Sequence, residues 1–482
     1  MALAGVWAAA TLTAGEPVAV AQEWRVRAHT RVQYLEARSL VRDSVPIGQT
    51  TGDGQQRLAG DTLVSCAPGA TFCYFYRPEA VRSTTPVVQD LDLSGWGFGV
   101  EGLRVYANVR LRTAFGADEF WPRTDDHFDA FAAYVELDRR TYRVRLGRDH
   151  QISGLGYYGY DGGSVVLRLL EERVRLQAYG GWGLERGLAE PVTSDALASL
   201  EEFQPRDRNL LFGFRGSARP LPGVSLGAIY QREIETDRSG ITSERIAVDG
   251  AYSPTLGVWL RGHADYDLAT GWWGKAGATV GWSPRPILYV EGRLFRYRPV
   301  FSLQTIWAAF SPTPYSGWGL SVTVHPSPDL SLAVEGERRA YGDTDADVPF
   351  HVTTDRTWRA GARGHWQPTE WAEVAGGYSL DFTFGAAFSA GEGRLRIRPA
   401  DDWTIGVRTS AFQQLEEFRV GEGRVWSVGG ELEWRRTTAT LWASIDRYRH
   451  DRRGADAVDP DWTQTRAAAG LAFYLGSEPG AR

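Results

Sequence analysis

The sequence predicts an all-β fold, a closed antiparallel transmembrane β-barrel of about 22 strands, with roughly 18 to 24 as the admissible range. Three observations carry that expectation. Apolar and polar residues alternate with period two through most of the chain, which is the pattern of strands with one apolar and one polar face. Short Pro-rich or charged turns alternate with longer polar loops. Although 43% of the 482 residues are hydrophobic and 12% are aromatic, no run reaches the roughly 18 apolar residues that a membrane helix needs. A helical membrane protein is therefore excluded. The 55 glycines follow no three-residue period, and the abundant aromatics argue against disorder, so collagen-like and disordered chains are excluded too.

From the N-terminus, residues 1–21 read as a secretory signal peptide. An Ala-rich apolar stretch leads to Ala19-Val20-Ala21, which fits the small-x-small cleavage pattern before Gln22. No Lys or Arg precedes Arg25, and a disordered tail is the alternative. The barrel is expected over residues 22–475, with its first strand at Trp24. Within it, 39–85 is a long polar insert that could serve as a lid or plug. Cys66 and Cys73, the only two cysteines, lie inside this insert and suit a disulfide-closed loop in an oxidising compartment. With no further ligands nearby they do not suit zinc.

Alternation is explicit beyond the insert. Leu103, Val105, Ala107, Val109 and Leu111 oppose Arg104, Tyr106, Asn108, Arg110 and Arg112, and Trp403, Ile405, Val407 and Ala411 oppose Thr404, Gly406, Arg408 and Ser410. A soluble sandwich would need a second sheet to cover every apolar face. A barrel that is apolar outside and wet inside explains strands that all look alike. Short turns fall at Arg219–Gly223, Ser253–Thr255, Ser283–Pro286, His325–Asp329, Gln367–Glu370 and Arg398–Asp402; longer loops fall at Gly183–Pro205, Arg298–Pro314, Gly342–Val352 and Arg449–Asp461. That asymmetry predicts short periplasmic turns, long extracellular loops and periplasmic termini. Trp259, Trp282, Trp318, Trp366, Trp371, Trp403, Trp426 and Trp434 fall near strand ends, where aromatic girdles meet lipid headgroups.

At the C-terminus, Gly470, Phe473 and Leu475 in the strand Thr463–Leu475 resemble the assembly signal of bacterial outer-membrane porin-like barrels, from which the tail at 476–482 departs. Phe131–Leu137, Val144–Arg148 and Tyr160-Asp161-Gly162 are similar to the strand, Gly-Arg and Asp-Gly succession of alginate-export channels over roughly residues 128 to 170. The resemblance implies the bacterial outer membrane, with lipid, lipopolysaccharide and the barrel assembly machinery as partners.

The chain has a single lysine, Lys275, among 53 basic residues, and a net charge of −6. That balance leaves no overall basic footprint for nucleic acid. The polar faces are expected to place Arg104, Arg110, Arg112, Arg143, Arg145, Arg359, Arg363, Arg394, Arg396 and Arg408 in the lumen, together with acids such as Glu136, Glu335, Glu373, Glu431 and Glu433. Two readings stand side by side. The arginines could form ion-pair ladders that stiffen the wall, or a field that favours anions.

Gly154–Gly159 matches G-x-G-x-x-G but lacks the strand-to-helix context of a dinucleotide site. A pore loop whose Tyr157, Tyr158 and Tyr160 stack on sugar rings is the alternative to an ordinary packed loop. Asp343–Asp347 imitates the start of a calcium loop, with Val348 and Thr354 where its Gly and Glu belong. No cofactor or metal is expected. The expected function is a porin-like channel for small anionic or saccharide solutes. A structural sheath around a protein partner, such as an electron-conduit cytochrome or export machinery, is the alternative. A barrel-embedded hydrolase, with Asp149-His150 as the pair to test, is the third reading.

Overall fold

A computed structural model of the chain describes residues 23–38, 40–52, 54, 56–60, 62–116, 128–184, 209–236, 240–298, 314–342, 356–383, 386–417, 423–452 and 461–476. The signal-peptide expectation for 1–21, the calcium-like stretch at 343–354 and residues 477–482 of the tail lie outside them.

The wall is one antiparallel sheet of 22 strands closed on itself. Its seam joins the first and last strands. Glu23–Ala37 pairs on one side with Trp462–Gly476, where Arg31 faces Gly470, and on the other with Arg82–Trp96, where Arg31 faces Val88. Each remaining strand pairs with its sequence neighbours, so the connections are hairpins. Turns at 256–257, 286–287, 328–329, 370–371 and 401–402 all lie at the end that holds Glu23 and Gly476, as the sequence leads one to expect.

Alternation resolves into an outside and an inside. In the strand Trp403–Glu417, Trp403, Ile405 and Val407 are 39%, 46% and 52% exposed, while Arg408 turns the other way to an ion pair with Asp446. Exposed apolar side chains of this kind run round the whole sheet, and only lipid covers such a surface without cost. Trp282, Trp318, Trp366, Trp371, Trp403 and Trp426 are exposed on it. Trp259 departs from the girdle expectation: it faces inward beneath the Arg261 guanidinium, 4.6 Å from its ring, and its ring lies where a Cβ on Gly281 would sit.

The insert holds a separate four-stranded sheet made of Leu40–Pro46, Gln56–Ala59, Thr62–Cys66 and Phe72–Pro78. Cys66 and Cys73 face each other across two of these strands and form a disulfide. They are buried with Val64 against Val45, Ile47 and Phe75. The last residues of the expected insert, from Arg82, belong to the wall, and so does Gly476, the first residue of the expected tail.

Besides local register shifts, one hairpin of the described wall leaves its regular course. The strand Tyr142–Ser153 stays paired with Phe128–Asp138 only as far as Arg148 opposite Ala133, and above that the two part. From there the hairpin it forms with Gly156–Leu169 folds into the barrel. Its tip reaches across the inner faces of Val174–Gly183, Leu210–Ala218, Val224–Ile234 and Ile241–Thr255, where Leu155, Tyr160, Tyr179, Leu211, Ile229 and Ala247 form a buried apolar cluster. The displacement is large. Gln151 pairs with Tyr158, and Gln177 pairs with Val166 eight residues along the same strand, about 26 Å at the usual rise per residue. Yet the Gln177 amide donates to Gln151 at 3.0 Å.

Glycines make the bend sterically possible. Gly147 has φ +130, and a Cβ there would meet the Ala133 carbonyl oxygen at 2.3 Å. Gly162 faces Gly181 and Gly163 faces Gly180; a Cβ on Gly162 would come within 2.1 Å of the Gly180 oxygen.

Candidate functional site

The expected lumen arginines fall in two groups on the inner face of the wall. In the first, Glu136 is almost fully buried, at 5% exposure. Arg145 meets it at 2.7 Å, and Arg104 and Arg143 approach to 3.9 Å. Arg145 also reaches Asp149 at 3.3 Å and lies over the Tyr134 ring at 4.6 Å. Arg110 pairs with Asp90 at 2.5 Å, and Arg112 pairs with Asp129 at 3.5 Å. These five arginines are bound into the wall.

The second group spans the strands from Tyr315–Ser327 to Ala439–Arg452. Glu431 accepts from Arg394 at 2.5 Å and from Arg396 at 3.1 Å, with Arg408 at 3.5 Å. Arg408 also grips Asp446 through two nitrogens. Arg359 approaches Glu335 at 3.7 Å. Arg363 is exposed and has no hydrogen-bond or ion-pair partner among the described residues.

These side chains border a bay of about 580 Å³ lined by Arg363, Arg394, Arg408, His365, Glu392 and the hydroxyls of Ser331, Thr409 and Ser410. Gly377 lies between Arg363 and Glu392 in the register and adds no side chain between them. Guanidiniums and hydroxyls together can receive a carboxylate, a phosphate or a sugar.

Tyr157, Tyr158 and Tyr160 all lie on the inturned hairpin, with different surroundings. Tyr160 is fully buried and stacked on Tyr179, with ring centroids 5.7 Å apart. Tyr158 packs on the apolar cluster, donates to the Leu155 carbonyl at 3.3 Å and accepts from Arg245 at 3.3 Å. Only Tyr157 is exposed, stacked on His150 at 5.2 Å. Of the three rings, Tyr157 alone presents an exposed face. The G-x-G-x-x-G stretch forms the tip of a β-hairpin, so no helix N-terminus is there to hold a pyrophosphate. In the Asp149-His150 pair, Asp149 is held by Arg145 and by the His150 backbone N–H, while the imidazole Nδ1 stands 4.0 Å away. Among the described residues, no three His, Cys, Asp or Glu side chains gather as a metal site.

Two further arginines, Arg215 and Arg245, act on the inturned hairpin, a role that alternation alone does not reveal. Arg215 donates to the Ile152 carbonyl at 3.2 Å and Arg245 to the Leu155 carbonyl at 3.0 Å, clamping the hairpin inside. Arg245 is itself paired with Asp265 at 2.7 Å. The glycines at 147, 162, 163, 180 and 181 were the one available signal for this bend.

No family model and no curated protein matches the chain. Among solved structures, Pseudomonas aeruginosa OccK3 aligns over 94% of this chain and 96% of its own at 8% identity, with a TM-score of 0.38. A mutant ferric enterobactin receptor, PfeA, from Pseudomonas aeruginosa in complex with enterobactin aligns over 93% and 81% at 10% identity and 0.49. The P pilus usher PapC translocation pore aligns over 94% and 100% at 8% identity and 0.44. These likenesses are of large-barrel architecture only. The alginate-export resemblance finds no counterpart among family models.

Proposed function

We propose that the protein is an outer-membrane channel that passes small anionic or saccharide solutes through an arginine-rich lumen. The observation that carries the reading is Arg363, an exposed guanidinium without a partner among the described residues, beside Arg394 and Arg408 in a bay of hydroxyls. Its charge is available to a solute, whereas Arg394 and Arg396 are already opposed by Glu431. The apolar exterior supports the membrane setting, and the inner bay supports passage of polar molecules.

The test is the anion-to-cation permeability ratio of the purified protein, from reversal potentials in planar bilayers. Arg363→Gln should lower the ratio several-fold at about 0.01 M salt and much less at about 1 M, where the field is screened within about 3 Å. Replacing Arg394 and Arg396 together with Gln should change it less per charge removed. A folded wild type that carries no current would overturn the channel and favour the sheath around a protein partner.

A further inference from the structure

The outward face of the inturned hairpin begins on the lipid side of the wall and ends inside the barrel. Leu146 lies on the lipid-facing side at 64% exposure. By the period of two, Arg148, His150 and Ile152 continue the same face, and Tyr157 joins it because it is paired with Ile152. Neither ladder of this strand contains a bulge that would exchange its faces. Yet the backbone at Ile152 is inside, since its carbonyl accepts from the inward-facing Arg215. Folding the tip inward has therefore drawn a strip of lipid-facing surface through the wall. Its inner end carries Ile152 at 62% exposure and Tyr157 at 46%, apolar groups that water does not favour.

The strip crosses the wall where the ladder is interrupted. Residues Phe128–Ala132 have no partner from Tyr142–Ser153, and Phe128 is 56% exposed. At the foot of the gap, Arg148 reaches across to donate to the Ala130 carbonyl at 3.0 Å, and it binds Asp161 through two nitrogens at 2.7 and 2.9 Å. Arg148 thus satisfies one carbonyl of the parted strand, and with Asp161 it forms a sill.

We infer that this gap is a lateral portal, by which an apolar or single-chain amphipathic solute moves between the lumen and the outer leaflet along Tyr157, Ile152, His150 and Leu146. The inference rests on reading the barrel as a membrane channel. The solute class follows from the lining: a ring and branched alkyl groups offer apolar contact, and the Arg148–Asp161 pair is already neutralised.

The chain has no free cysteine, so Ile152→Cys places a single thiol at the inner end of the strip. The full-length variant in liposomes would be treated with a sulfonated, water-soluble maleimide or with N-dodecylmaleimide dissolved in the bilayer. Leu146→Cys serves as the lipid-facing control and Arg363→Cys as the lumenal one. The expected result is reaction of Ile152→Cys with both reagents, with dodecanoate slowing the aqueous reaction several-fold there and leaving Arg363→Cys unchanged. Reaction with one reagent only, or no protection by dodecanoate, overturns the portal. Tyr157→Cys gives the same reading if Ile152→Cys fails to fold. Ion conductance of the same proteins is scored separately, so a portal that fails in a conducting barrel is distinct from a barrel that does not conduct.

Discussion

Glu431 shows how one side chain sets the charge balance inside the barrel. It is shared by Arg394, Arg396 and Arg408, so much of its worth lies in holding three like charges close together. A unit charge acting at about 8 Å through an effective dielectric of about 40 is worth about 1 kcal/mol. Glu431→Gln should therefore shift the reversal potential toward anions by a several-fold change in permeability ratio, opposite in sign to Arg363→Gln. If both variants moved the ratio the same way, the bay would not be where selection happens. Period-two alternation sufficed to find which arginines turn inward, because facing is a local property. It could not find their partners. Arg394 and Glu431 are 37 residues apart, and they meet only through the register of three strands, which no local pattern encodes.

Among elements, the small sheet and the inturned hairpin contrast in how they are held. The Cys66–Cys73 disulfide closes a separation of 7 residues, and chain entropy assigns such a loop about 2.5 kcal/mol. Replacing both cysteines with serine should raise protease cleavage within 40–78 while leaving the barrel's mobility on gels unchanged; loss of barrel assembly would show that the sheet is needed for closure. The same sheet carries a pH response. The Arg77 guanidinium, helped by the Ser44 backbone N–H, holds the exposed Asp43 carboxyl below its ordinary 3.8. A lowered pKa stabilises above the ordinary value, and that contribution is lost as pH falls through the lowered one. Protection of the sheet from an acid-active protease should thus be equal at pH 7 and 5 and decline below 3.8, by a small amount because the pair is in water. The hairpin was the least legible element. Its residues keep alternating faces through the bend, and the forces that turn it inward come from Leu211, Ile229, Ala247, Arg215 and Arg245 on later strands.

For the molecule as a whole, the strand number and the asymmetry of its two ends were readable because most strands repeat the same binary pattern and several tight turns carry Pro, Gly or Asp, as at Leu256-Gly257, Pro328-Asp329 and Asp401-Asp402. A sheet closed on itself keeps most of its hydrogen bonds in detergent. The protein should fractionate with the outer membrane and migrate faster unboiled than boiled; recovery in the soluble periplasm would end the membrane reading. The seam has one more consequence. Arg25 and Gly476 are register partners, so the two ends of the described chain lie side by side at the rim that carries the short turns. Topologically the wall is a ring of hairpins with one nick. Joining Glu23 to Gly476 through a short linker and reopening the chain between Glu370 and Trp371 would preserve every pairing in the sheet, so a circular permutant would share the same wall while its strands emerged in a different order during synthesis.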